Sequence, residues 1–149
     1  MILDKIAEDD QLLDQVQRLT DDRKLELVVT SVTERQVAPI TDEAKRGRIA
    51  SVSRRVVGTV GFILDYSQLG VDRLGPDGPI EAIRKGRRKE TADALIAATA
   101  EWDGLMLVTE DARLRRALER RGTPVCGWEQ LRRDIELAGA AATIASPVI

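Results

Sequence analysis

Two aspartates carry the chemistry this sequence could perform. Asp93 opens the run DALIAATAEW, and Asp111 follows the short apolar segment Leu105-Met106-Leu107-Val108 by way of Thr109 and Glu110. In an open parallel sheet the functional crevice lies beyond the carboxyl ends of the strands. A residue just past Val108 projects toward that crevice, and the helix that Asp93 opens packs on the same sheet. Two carboxylates meeting there, with Thr109 alongside, would hold a divalent cation. The same residues also read as helix caps, Asp111 before one helix and Asp93 in the first turn of another. Spacing alone leaves both readings open.

Composition narrows the metal. The 149 residues include no histidine and one cysteine, Cys126. That excludes Ser-His-Asp triads, imidazole zinc sites and an intramolecular disulfide. Cys126 reads as a small hydrophobe on a buried strand, with no histidine to activate it as a nucleophile. A metal would have to be held by oxygen, which points to magnesium or manganese. Hydrophobic residues at 43% and charged residues at 32% describe a globular chain. No apolar run approaches the roughly 18–20 residues of a membrane span, and the start Met1-Ile2-Leu3-Asp4 is unlike a signal peptide. A cytoplasmic protein is expected.

The net charge of −2 conceals an asymmetry: residues 1–44 carry −6, residues 45–89 carry +7 and residues 90–149 carry −3. A basic middle third suits a polyanion and equally describes a solvated face. The run Arg84-Lys85-Gly86-Arg87-Arg88-Lys89, just before Asp93, could grip RNA phosphates through Arg87, Arg88 and Lys89, or be a solvated loop. Arg113, Arg116 and Arg120 share one face of a later helix and read as surface. The four aromatics, Phe62, Tyr66, Trp102 and Trp128, are too few for a base-stacking platform. Both tryptophans are assigned to the core.

The positioning elements follow from periodicity. Leu12, Leu13, Val16 and Leu19 predict a helix over Asp10–Leu19, and LELVVT predicts a buried strand over Leu25–Thr30. Ser31 to Gly47 reads as helix interrupted near Pro39. VVGTVGFILDY, Val56–Tyr66, reads as a strand broken by glycines, and the glycine- and proline-rich stretch Leu69–Pro79 as a loop before a short helix over Pro79–Arg84. Then come a helix over Asp93–Trp102, a strand over Leu105–Val108, a helix over Ala112–Arg121 stopped by Gly122, a strand over Thr123–Cys126 and a helix over Trp128–Leu137. Alternating helices and strands predict a three-layer α/β/α fold with a central parallel sheet. Residues 1–137 are expected to form one domain, and residues 138–149 an Ala-rich, frayed tail.

The block TADALIAATAEWDGLMLVTEDARLRR, Thr91–Arg116, closely resembles the C-terminal half of PIN domains, a metal-dependent ribonuclease family. An aspartate opening a DALIAATA helix and a strand ending in V-T-x-D match Asp93, Thr109 and Asp111. VVGTVGFILDYSQLGVDRLG and LELVVT also look like parts of that family. The resemblance implies an acidic pocket holding Mg²⁺ or Mn²⁺ and hydrolysis of RNA phosphodiesters. It also implies a possible toxin of a toxin–antitoxin pair, bound by an antitoxin protein, and a possible homodimer.

The match is incomplete at the acids. The family's first acid follows its first strand in a D-[TS]-[NS] pattern. Here it is either Asp4, followed by Lys5-Ile6, or lies upstream of Met1, with Ile2–Asp10 matching the segment after the motif. The second family acid falls by spacing on Gln36, and Glu34 is the nearest carboxylate. A further acid corresponds to Arg113. The expectation is therefore an endoribonuclease with Asp93 and Asp111 as ligands, Thr109 orienting the pocket, and Asp4 and Glu34 as additional candidates. The alternatives are a catalytically impaired module of the same type that binds RNA or a protein, or an unrelated α/β domain whose aspartates are only caps.

Overall fold

The computed structural model describes residues 1–61, 63, 66–75, 77–84, 90–138 and 147–148. Ile2, Leu3, Ile6 and Ala7 recur at helical spacing, and Ile2–Glu8 is a helix, α1, that buries all four. Asp4 therefore sits on a helix and not at the end of a strand. Asp9 starts α2, Asp10–Asp21, by accepting the Leu12 N–H at 3.1 Å. Of the predicted stripe, Leu12, Val16 and Leu19 are buried and Leu13 is partly buried.

The apolar run after α2 gives a shorter strand than expected, β1 (Val28–Thr30), although Leu25 and Leu27 are buried as well. Thr30 caps α3 (Ser31–Val37), its Oγ1 accepting the Thr33 N–H at 3.3 Å. The chain breaks around Pro39 and resumes as α4 (Glu43–Ser51), then β2 (Arg55–Val57). The long strand expected over Val56–Tyr66 stops at Gly58. A Cβ there would lie 1.9 Å from the Val71 carbonyl oxygen, so only glycine lets the loop pass this close.

Helix α5 spans Asp77–Arg84 and α6 spans Thr91–Asp103. The alanines of α6 let neighbouring backbone approach: Ala94, Ala97, Ala98 and Ala100 are buried, and Thr99 Oγ1 accepts the Val60 N–H at 2.9 Å. Gly104, with φ of 65°, ends the helix in the left-handed conformation. The remaining elements alternate as predicted: β3 (Met106–Val108), α7 (Ala112–Glu119), β4 (Val125–Cys126) and α8 (Trp128–Ala138).

The chain is a mixed α/β protein with short parallel strands. β1 pairs with β2, and β3 pairs with β4. The C-terminal stretch departs from expectation. Instead of fraying throughout, Pro147–Val148 forms β5, which pairs in parallel with both β1 and β3 and bridges the two pairs in the order β2-β1-β5-β3-β4. Its physical basis is that the facing edges of β1 and β3 carry backbone donors and acceptors that need a partner; residues 139–146 of the predicted tail lie outside the described residues. Alternate strand residues feed different clusters. Val29 and Val108 join α1, α2 and α8, while Val28 and Leu107 join α5, α6 and Leu118. Trp128 is buried as expected, but Trp102 is 60% exposed near the end of α6, contrary to its assignment to the core. Phe62 lies outside the described residues. Among them no helix is long and apolar enough to cross a membrane.

One carboxylate organises the loop between β2 and α5. Asp72 accepts hydrogen bonds from Ser31 Oγ, Thr59 N–H and Gln68 N–H, each at 2.6 Å. Burial pushes its carboxyl up, but these donors together outweigh burial and hold it below its usual range. Asp72 thus stabilises the fold above the ordinary carboxylate range, and this contribution is lost as pH falls through its lowered folded value. In urea unfolding, Asp72→Ala should cost about 2–3 kcal/mol at pH 7. The deficit should shrink below about pH 4. An unchanged unfolding midpoint at pH 7 would contradict this role.

Candidate functional site

Asp93 is held in the first turn of α6, and Asp111 in the turn between β3 and α7. The sequence forces this arrangement locally. β3 ends at Val108, and Thr109 Oγ1 accepts the Asp111 N–H at 3.2 Å, fixing the turn. Asp111 Oδ1 then accepts the N–H groups of Arg113 at 2.7 Å and Leu114 at 3.1 Å. The capping reading of Asp111 is therefore correct. It does not consume the carboxylate, because both bonds fall on one oxygen. The Thr109 hydroxyl lies within the turn that presents Asp111.

The two aspartates lie on the shared wall of two cavities. One, of about 210 Å³, is lined by Glu90, Asp93, Asp111, Arg113, Arg116 and Arg120 among others. The second, of about 280 Å³, includes Thr33, Gln36, Asp93, Thr109 and Asp111. Burial raises the Asp93 carboxyl above its usual range, and the negative charges of Asp111 and then Glu90 push it further. Asp111 moves the other way. The Leu114 N–H lowers it most; burial opposes, and the Arg113 N–H with the guanidiniums of Arg113 and Arg115 adds to the lowering. Paired carboxylates whose environments drive their proton affinities apart are a recognised mark of functional sites.

The other expected ligands are not brought to this pair. Asp4 meets the Met1 ammonium at 3.3 Å and Lys45 Nζ at 3.4 Å, and lines a separate cavity with Glu8, Asp42 and Arg48. Its helix turns it toward α4. Glu34 is clasped by Arg54 through two bonds, Nε–Oε1 at 2.6 Å and Nη2–Oε2 at 3.3 Å. Two residues apart on a helix point to different faces, so Gln36 lines the second cavity and Glu34 does not. Glu110 is also committed, to Lys5 Nζ at 2.9 Å and the Trp128 N–H at 3.0 Å. Arg87, Arg88 and Lys89 lie outside the described residues. Cys126 is half-buried, its thiol raised chiefly by burial.

Among the described residues no group of three or more Asp, Glu, Cys or His side chains is arranged to hold a metal ion. The donors present are the Asp93 and Asp111 carboxylates, with the Glu90 carboxylate paired to Arg113, and neutral Gln36 and threonine hydroxyls nearby. Such a set suits magnesium, which keeps several waters and needs one or two carboxylates with substrate phosphates completing its shell. It does not suit a cation that requires a dehydrated, fully protein-made cage. The arginine lining of the first cavity was legible as spacing on one helix, but nothing in that spacing placed it beside the acids. The lining role of Glu90 had no sequence signal. No protein-family model, curated protein or solved structure matches this chain.

The electrostatics give a direct test without metal. A carboxyl raised in the folded state destabilises the fold as pH climbs from its ordinary range through the raised value. Asp93→Asn removes that cost. In chelator, the variant should therefore melt at a higher temperature than wild type at pH 7. The two should converge below about pH 4, where Asp93 is protonated folded or unfolded. A lower midpoint for Asp93→Asn at pH 7 would contradict the crowded-carboxylate description.

Proposed function

We propose that this chain is a metal-dependent endoribonuclease of PIN type, built as a three-layer α/β/α domain on a central parallel sheet. The layer reading is supported by the alternation of β1 and β3 residues between two apolar clusters. The observation that carries the functional reading is the Asp93–Asp111 pair, set beyond the carboxyl end of β3 and flanked by an arginine-lined cavity. Asp93 and Asp111 would hold Mg²⁺ or Mn²⁺, which when bound supplies Lewis-acid polarisation of a phosphodiester. The protein groups then divide the work. Asp111, pinned by two backbone N–H groups, stays charged. Asp93, on the first turn of α6, supplies the second carboxylate of the pair. Thr109 keeps the turn in place.

A second reading rests on Gln36. Its neutral amide faces the cavity where a third carboxylate would strengthen cation binding, and Arg54 has captured Glu34. This favours a module that binds RNA without cutting it. Incubation with single-stranded RNA separates the two. On the nuclease reading, wild type cleaves only when manganese or magnesium is added, and Asp93→Asn slows cleavage roughly 10²–10⁴-fold. On the second reading wild type is inert, and Gln36→Glu, by adding a carboxylate, gains metal-dependent cleavage. Equal cleavage by wild type and Asp93→Asn would overturn the nuclease reading. Inertness of wild type and Gln36→Glu alike would remove Asp93 and Asp111 from any cleavage chemistry.

A further inference from the structure

The arginines of α7 and the residues just after it differ in what already neutralises them. Arg113 pairs with Glu90 at 2.9 Å, and Arg121 with Glu101 at 2.8 Å. Arg115 donates to the Thr109 carbonyl at 3.1 Å. Arg116 and Arg120 have no carboxylate partner among the described residues; Arg120 Nε donates only to the Arg116 carbonyl, at 3.0 Å. Both nevertheless line the cavity that contains Asp93 and Asp111. Arg48, Arg54, Arg55, Arg73 and Arg132 all form ion pairs; of the described arginines that form none, Arg116 and Arg120 are the two that line this cavity. Two uncommitted guanidiniums one helical turn apart, facing a cavity, match the geometry that binds phosphate oxygens.

We infer that Arg116 and Arg120 form a phosphate-binding subsite that holds the backbone of a single-stranded RNA beside the Asp93–Asp111 pair. Arg113, tied to Glu90, marks the acidic end of the cavity, and Arg116 and Arg120 extend its positive lining along α7. A strand bound there would present the next phosphodiester toward the aspartates. Recognition is of the backbone and not of base sequence, because guanidinium–phosphate contacts carry no base information. The inference takes its anion from the nuclease reading above, but it does not require cleavage.

The test is fluorescence anisotropy with a labelled single-stranded RNA dodecamer in EDTA, so that no metal-dependent step intervenes. The double variant Arg116→Gln/Arg120→Gln should bind about tenfold or more weakly at physiological salt. Losing two phosphate contacts should also flatten the slope of log K against log salt by about 1.4. The control Arg132→Gln/Arg133→Gln removes the same charge from α8, outside the cavity, and should leave both quantities near wild type. Because Arg116 and Arg120 are exposed, an unchanged thermal midpoint should show that the fold is intact. Equal weakening by the two double variants, undiminished binding by Arg116→Gln/Arg120→Gln, or no RNA binding by wild type would each overturn the inference. Position-dependent binding without metal-dependent cleavage would sustain it while sinking the nuclease reading; cleavage by a protein whose Arg116→Gln/Arg120→Gln variant binds RNA undiminished would do the reverse.

Discussion

The repulsion between the Asp93 and Asp111 carboxylates is the interaction around which the rest of this molecule is arranged. Two negative groups facing one partly buried space raise each other's free energy, and the protein around them offers only partial relief. Asp111 is kept charged by the Arg113 and Leu114 N–H groups at the start of α7. Asp93 has no such donor among the described residues, and burial, then the charges of Asp111 and Glu90, raise its proton affinity. A structural ion-pair network would have placed a guanidinium between them. Here Arg113, whose charge with that of Arg115 also lowers Asp111, is paired with Glu90. On the proposed reading, a hard, hydrated cation would neutralise the pair.

Keeping such a pair together requires rigid supports on both sides. On one side, buried alanines let α6 pack closely, and Thr99 ties it to Val60. The Asp72 node fixes the loop that carries Thr59 and Val60. On the other side, Thr109 braces the turn, while Glu110 binds Lys5 and the Trp128 N–H, joining that turn to α1 and α8. Consecutive acids in Glu110-Asp111 thus have separate tasks. Glu110 anchors the turn and Asp111 is presented to the cavities.

The parts of this arrangement that depend on local periodicity were legible in the sequence. The stripe of α2, the alanine-rich α6 and the alternation from β3 to α8 follow from spacing, and with them the positions of Asp93, Thr109 and Asp111. What spacing could not show is which neighbour each charged group meets. Asp4 is a candidate only as the residue ending a first strand; on a helix, it faces Lys45. Glu34 and Gln36 differ by two positions, and the helix sends one to Arg54 and the other to the cavity. The pairing of Val148 with Val28 of β1 joins residues more than a hundred positions apart, a contact for which an uncharged tail gives no local signal. Arg116 and Arg120 read as solvated surface because a helix face shows its spacing in the sequence and its surroundings only in the fold.

The central claim is that Asp93 and Asp111 together form a divalent-cation site. Calorimetric titration of the metal-free protein with manganese tests it most directly, because it reads the cation without assuming a substrate or a reaction. The account predicts saturable binding of manganese to wild type that is lost in both Asp93→Asn and Asp111→Asn. Absence of binding to wild type, or binding that survives either substitution unchanged, would contradict it.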